Sequence, residues 1–330
     1  MHAIRLHNFG PAENLRYESA SDPEPAPGQV RIAVSAAGVH LVDTMLRRGE
    51  PGPYALPQLP TIPGREVAGT VDRVGADVDP SLLGARVVAH LGAVPGGYAE
   101  LAVTEVARLH EIPANLDAAE AVAMIGTGRT TMGILQFTPL DSDSVAVVTA
   151  AAGGIGTLLV QYAKNSGATV IGLAGGPAKV EQVRRNGADL AVDYLLPDWP
   201  DRVRAHIGDR GASVLFDSVG GAVARSGVDL LGKGGQHVVY GRSGQSNDEG
   251  PLLFSADGLT DRDITSEFVV GPPMLARAGG DLRVLEERAM AEAAAGRLRP
   301  AVHRFPLAEA AAAHRALETR GTTGKVVLIP

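Results

Sequence analysis

From Ala118 to Tyr240 the chain repeats one pattern: a short apolar run, then an amphipathic segment of roughly ten residues. The runs Ser144–Thr149, Thr169–Ala174, Leu190–Val192, Ser213–Asp217 and Gln236–Tyr240 show little polar alternation, as strands buried on both faces require. Between them, Ile155–Ser166, Ala178–Asn186, Pro200–Ile207 and Ala222–Leu231 read as helices, preceded by a longer one over Ala119–Leu135. Successive strand–helix–strand units of this kind predict a doubly wound parallel sheet.

The first connection of that sheet carries Ala150-Ala151-Ala152-Gly153-Gly154-Ile155-Gly156, directly after a buried strand and at the head of a helix. A dinucleotide pyrophosphate needs backbone that approaches without a Cβ in the way, and a helix start with unpaired N–H groups. Gly153 and Gly154 supply the approach and Gly156 lets helix and strand pack closely, with Ala151 in the first glycine slot. The setting, and not the glycines alone, makes Gly153, Gly154 and Ile155 candidate cofactor contacts. An NAD site requires an acid at the end of the second strand, about 20 residues on. That strand ends Leu173-Ala174-Gly175-Gly176, with no acid before Glu181, while Lys179 and Tyr194 stand where a cation and a phenol could meet a 2′-phosphate. Gly175 and Lys179 therefore join the candidate contacts, and the expected cofactor is NADPH.

The flanking sequence has a different texture. Candidate strands Ala3–His7, Gln29–Ala36, Glu66–Val74 and Ala85–His90 are separated by glycine and proline, and five prolines between Glu50 and Gly64 force a loop there. Beyond Pro251 only the strand Ile264–Val270, the helix Leu282–Ala295 and the strand Val326–Ile329 remain, elements suited to completing the N-terminal domain. Composition narrows function further. With no cysteine there is no disulfide, thiol nucleophile or cysteine-ligated zinc, and the nine histidines show no ligand spacing. A net charge of −7 argues against nucleic acid as a partner. No apolar run of about 20 residues and no leader-like N-terminus is present, so a cytoplasmic protein without membrane contact is expected.

Ala150–Gly156, Asp217-Ser218-Val219-Gly220, Gly38-Val39 with Asp43 and Arg47, Pro63-Gly64 with Glu66, and the ending Glu318-Thr319-Arg320 to Leu328-Ile329-Pro330 together resemble the zeta-crystallin-type quinone oxidoreductases. These form the zinc-free branch of the medium-chain dehydrogenase/reductase superfamily, and the resemblance spans essentially the whole chain. It implies a GroES-like, mostly-β catalytic domain from residues 1–118 and 259–330, with a Rossmann NADP-binding domain of residues 119–258 inserted in it. It further implies Thr130 near the nicotinamide, and Lys179, Tyr194 and Arg320 around the 2′-phosphate. Ser218, Tyr240, Gly241, Phe268 and Val270 match segments along the cofactor. A homodimer is implied as well, with Ile264–Val270 available for edge pairing.

The chain also departs from that family. His40 stands where the quinone reductases show asparagine, Met45 where they show tyrosine, and Arg65 where zinc dehydrogenases carry a histidine ligand. Gly49-Glu50-Pro51-Gly52-Pro53-Tyr54 replaces a shorter Gly-x-Tyr. No metal is expected, so the reaction is direct hydride transfer to an electron-poor acceptor. His40 and Tyr54 are the candidates for orienting or protonating its oxygen. Asp43 reads instead as the cap of the helix that follows it. The leading expectation is an NADPH:quinone reductase. The alternatives are an enone or enoyl-thioester reductase on the same scaffold and a nucleotide-binding protein with little turnover.

Overall fold

The computed structural model describes residues 1–52, 54–244, 252–254 and 262–330. Two compact units emerge. One comprises Met1–Gly128, Ala289–Ala294 and Pro300–Pro330, the other Arg129–Arg288 and Ala295–Arg299.

In the first unit, β1 (His2–Leu6) and β2 (Leu15–Ser19) form a hairpin, followed by the long β3 (Gln29–Val39) and the helix α1 (Leu41–Arg48). Then come β4 (Glu66–Val74), β5 (Arg86–His90), β6 (Leu101–Glu105), β7 (Leu109–Glu111) and α2 (Ala118–Val122). The second unit contributes α3 (Arg129–Ile134), β8 (Val145–Val148), α4 (Gly154–Asn165), β9 (Thr169–Ala174), α5 (Pro177–Arg185), β10 (Leu190–Asp193) and α6 (Trp199–Ile207). It continues with β11 (Ala212–Asp217), α7 (Gly221–Val228), β12 (Leu231–Val239), β13 (Thr265–Phe268), α8 (Pro272–Arg277) and most of α9 (Arg283–Ala294). The chain closes in the first unit with β14 (Val302–Pro306), α10 (Ala310–Glu318) and β15 (Lys325–Ile329).

Strand order in the first unit is β14-β15-β3-β4-β5-β7, with β6 also on β3. The last strand of the chain therefore lies antiparallel to β3, Val326 opposite Val39 and Leu328 opposite Ala37. Ile4, Ile32, Val67, Val71, Tyr98 and Leu328 fill the core that this closure creates. The proline-rich stretch between 50 and 64 is irregular where it is described, but Thr61 is pinned to Leu6 by two backbone hydrogen bonds. Pro53 lies outside the described residues.

The second unit is a six-stranded parallel sheet in the order β10-β9-β8-β11-β12-β13. Chain order reverses between β8 and β11, the switch point at which open α/β sheets bind ligands beyond their strand C-termini. Val145–Val148 is buried throughout, which explains why it reads as an uninterrupted apolar run.

Four sequence expectations need correction. Ile264–Val270 does not return to the N-terminal domain: β13 pairs parallel with β12, and Val269 donates to the Val239 carbonyl. The expected helix Ala222–Leu231 stops at Val228, because Leu231 already begins β12. Ala119–Leu135 is interrupted by a π-helical turn at Ala123–Gly128, so the first division between units falls at 128/129 and not at 118/119. The expected division at 258/259 lies outside the described residues. Finally, α1 begins before Asp43. The helix starts at Leu41, and the Asp43 carboxylate reaches back to accept from the His40 N–H at 2.8 Å.

Gly156 sits in the first turn of α4, and a Cβ there would run into the Ala150 carbonyl and come 2.7 Å from the Ala151 Cα. Both obstacles are backbone and cannot swing aside. Gly156→Ala should therefore destabilise the second unit by about 1–3 kcal/mol, read as a lower midpoint in urea denaturation.

Candidate functional site

At the head of the parallel sheet, Ala150 takes the left-handed conformation, φ 46°, to turn the chain from β8 into α4. Gly153 is the N-cap and carries no side-chain hydrogen bond, and the first helical bond is from Thr157 N–H to Gly153 O. The amides of Gly154, Ile155 and Gly156 have no carbonyl four residues back within the helix, which leaves a positive, donor-rich end. The other candidates follow along the same edge. Gly175 follows β9, and Gly176, the N-cap of α5, has φ 89°. Lys179 lies in the first turn of α5, and Tyr194 follows β10. A Cβ at Gly175 would stand 3.4 Å from the Tyr194 hydroxyl, which brings those two together.

Ser218 follows β11, Tyr240 and Gly241 follow β12, and Phe268 ends β13 with Val270 just beyond. Tyr240 is buried, and burial raises its hydroxyl pKa above the ordinary phenol value. Thr130 lies in α3 of this same unit, whereas Arg320 belongs to the first unit, in the left-handed conformation (φ 57°) just after α10.

Sequence reasoning missed the group that organises this edge. Asp217 is fully buried, and its Oδ1 accepts from Thr149 Oγ1 at 3.1 Å, Val219 N–H at 2.9 Å and Gly220 N–H at 3.2 Å. Thr149 Oγ1 in turn accepts from the Ser218 N–H at 2.9 Å, so one carboxylate fixes the loops after β8 and β11 together. An acid ending an apolar run was the available signal. Asp193 was missed too. It ends β10, and its Oδ1 accepts from the amides of Gly176 and Leu195, both at 3.0 Å. The carboxylate absent from the end of β9 in sequence is thus supplied next door, with that oxygen committed to backbone.

The first unit holds a second polar cluster. His40, the N-cap of α1, places Nε2 2.5 Å from Glu66 Oε1 and 2.6 Å from Lys325 Nζ, and Lys325 lies 2.9 Å from Glu66 Oε2. Glu66 is fully buried; burial raises its pKa, but the charges of His40 and Lys325 outweigh that and hold it well below the usual value. Asp43, also buried, accepts from Tyr98 Oη at 3.1 Å and faces Arg65 Nη1 at 3.5 Å. The Arg65 guanidinium stacks 4.4 Å from the centre of the Tyr54 ring. His40 and Tyr54 are therefore linked through Asp43 and Arg65. Lys325, Tyr98 and His314, whose Nε2 lies 3.3 Å from the Tyr98 hydroxyl, were missed, since nothing local in sequence ties them to residue 40 or 43.

Comparison with known proteins agrees with this architecture. Residues 26–114 match the alcohol dehydrogenase GroES-like domain and residues 154–274 the zinc-binding dehydrogenase domain. A quinone oxidoreductase of Pseudomonas aeruginosa is 32% identical, covering 99% of both chains. A 2-haloacrylate reductase of a Burkholderia species is 30% identical, covering 99% of this chain and 98% of the relative. The chain belongs to the quinone oxidoreductase-like group of the medium-chain dehydrogenase/reductase superfamily. Its fold is likewise similar to the crystal structure of Escherichia coli quinone oxidoreductase complexed with NADPH, with a TM-score of 0.84, 27% identity and complete coverage of both chains. The fold is thus the GroES-like domain with a Rossmann-type sheet.

The folded Glu66 carboxyl titrates below the ordinary carboxyl value of about 4.3, so its contribution is complete above that pH and is lost as pH falls through the lower folded value. Lys325→Met should move the acid-unfolding midpoint to higher pH and cost about 3–5 kcal/mol at neutral pH. An unchanged acid midpoint would mean that Lys325 does not hold that charge.

Proposed function

We propose that this chain is an NADPH-dependent oxidoreductase that transfers hydride directly to a quinone, without a metal. The observation that carries the reading is the α4 N-terminus, where the amides of Gly154, Ile155 and Gly156 lack an intrahelical acceptor and glycines stand at 153, 154 and 156. That arrangement suits a pyrophosphate, and the relatives' names supply the acceptor class. When bound, the cofactor supplies a hydride from its nicotinamide. The protein's part is to hold that ring beside Thr130, Ser218, Tyr240, Gly241, Phe268 and Val270, and to bind the 2′-phosphate through Lys179 and Tyr194, with Arg320 added by family resemblance.

Two features support a reaction without metal. Arg65, a permanent cation, occupies the position after Gly64, and the Nε2 of His40 is already engaged by Glu66 and Lys325. His40 and Tyr54 serve in this reading to orient or protonate the acceptor oxygen. We also propose a cytoplasmic homodimer, with β13 as one of the two outer strands of its sheet. Among the described residues no helix is long and apolar enough to cross a membrane. A second reading, reduction of a conjugated alkene, is favoured by the name of the Burkholderia relative.

Steady-state NADPH oxidation against 1,4-quinones, alkenals and unsaturated acids tests both readings, and silence with every acceptor would leave only a nucleotide-binding role. Lys179→Ala and Arg320→Ala should each raise KM for NADPH by the equivalent of about 1.5–3 kcal/mol while leaving NADH almost unaffected. Equal losses with both cofactors would remove these residues from the 2′-phosphate. A chelator should leave the rate unchanged; a loss restored by zinc would overturn the metal-free reading.

A further inference from the structure

Of the four buried side-chain nitrogens without a hydrogen-bond partner among the described residues, one is His314 Nδ1 and three belong to two arginines: Arg47 Nε and Nη1, and Arg65 Nε. Arg47 is 3% exposed and Arg65 5%. Both line one cavity of about 20 Å³, together with Asp43, Leu46, Thr61 and Pro63. A water needs about 10–15 Å³ measured this way, so the cavity holds one or two oxygen-sized atoms and no ring.

Charge decides what those atoms are. The carboxylates nearby are already engaged. Glu318 Oε1 is shared between Arg47 Nη2, at 2.5 Å, and Arg48 Nη1. Asp43 serves Tyr98 and the His40 amide, and meets Arg65 only at 3.5 Å. Thr61 is tied to Leu6 through its backbone. His314 lies in the same cationic surroundings: burial, with Arg47 and Arg48 behind it, lowers its pKa to about 3. A desolvated guanidinium N–H left without an acceptor is costly, and its planar fork matches the two oxygens of a carboxylate.

We propose that this cavity receives the carboxylate of a small α,β-unsaturated acid, Arg47 and Arg65 donating to its oxygens while the carbon–carbon double bond stays outside. The inference rests on the second reading above, NADPH-dependent reduction of a conjugated alkene, and names the class of that alkene. In the reduction the β-carbon takes the hydride, the π pair moves to the α-carbon, and solvent protonates that carbon; the cofactor leaves as NADP⁺.

The test uses the whole enzyme in chloride-free buffer, with 2-chloroacrylate and its methyl ester as acceptors. The acid should exceed the ester in kcat/KM by about tenfold or more, as a charge-assisted contact implies. Arg65→Gln should abolish that preference, the acid losing about tenfold more than the ester. Arg65 is the residue to change because Arg47 also holds Glu318. An independent readout needs no turnover: the saturated acid 2-chloropropionate should raise the Tm of the wild-type protein, and its methyl ester should not. An ester that matches the acid, or no Tm response to 2-chloropropionate, overturns the proposal even if 1,4-benzoquinone is reduced. A Tm response without NADPH oxidation by any acceptor would instead sink the reductase reading and keep the anion site. Should Arg65→Gln not fold, the wild-type acid-to-ester ratio and the Tm response decide alone.

Discussion

A buried carboxylate with a cation from the far end of the chain holds the first unit in its form. Glu66 lies in β4 and Lys325 in β15, and their pairing spans nearly the whole sequence. No other arrangement is cheap for either group: each is under 5% exposed, and a lone buried charge would cost several kcal/mol. The glycines around Glu66 show how closely the site is built. A Cβ at Gly38 would meet the Glu66 side chain and Val122, and one at Gly126 would overlap the carboxylate itself. The π-helical turn that carries Gly126 therefore approaches Glu66 as backbone, and the irregularity in the expected helix Ala119–Leu135 coincides with that approach.

The second unit uses the same device for a different end. Asp217 gathers Thr149 and the amides of Val219 and Gly220, while His237 Nε2 lies 3.4 Å from its other oxygen. His237 is held from behind by Ser266 Oγ at 2.8 Å, so β11, β12 and β13 are tied through side chains as well as through their ladder. Rigid strand ends are what a dinucleotide site needs, since several weak backbone contacts must be presented at once and none can be strong alone.

Much of the sheet was legible because buried parallel strands leave an unmistakable trace: β8, β9 and β11 are continuous apolar runs between helix-like segments. The turn after β8 was legible for the same reason, its glycines being interpretable only in that setting. What the sequence hid was of two kinds. Short strands with half-exposed faces, such as Leu15–Ser19 and Val302–Pro306, carry too little pattern to distinguish from loop, and the latter ends in proline. Pairings remote in sequence left no local mark either. Lys325 looks like any lysine before a strand until β15 brings it to Glu66 on β4, and Tyr98 like an aromatic in a glycine-rich turn until α1 and α10 bring Asp43 and His314 alongside. The placement of β13 failed for a related reason: four residues with a mixed burial pattern do not show which sheet they join.

Arginine at position 65 changes the electrostatics of the first unit in a way that histidine could not. A guanidinium is a cation that pairs best with carboxylates or a bound anion. Arg47, Arg48 and Arg65 face Asp43, Glu50 and Glu318, three charges against three, which balances on paper. Geometry spoils the balance. Glu50 binds Arg48 through both oxygens, at 2.6 and 2.9 Å, and Glu318 divides one oxygen between Arg47 and Arg48. Arg48 therefore takes more than its share, while Arg47 and Arg65 keep buried N–H groups that find no acceptor among the described residues. His314, held neutral by burial and by the same field, adds no negative charge to offset them. A cluster neutral in total but uneven in its bonds is more stable with one further acceptor, and Arg47 and Arg65 both line the cavity beside Asp43 and Pro63.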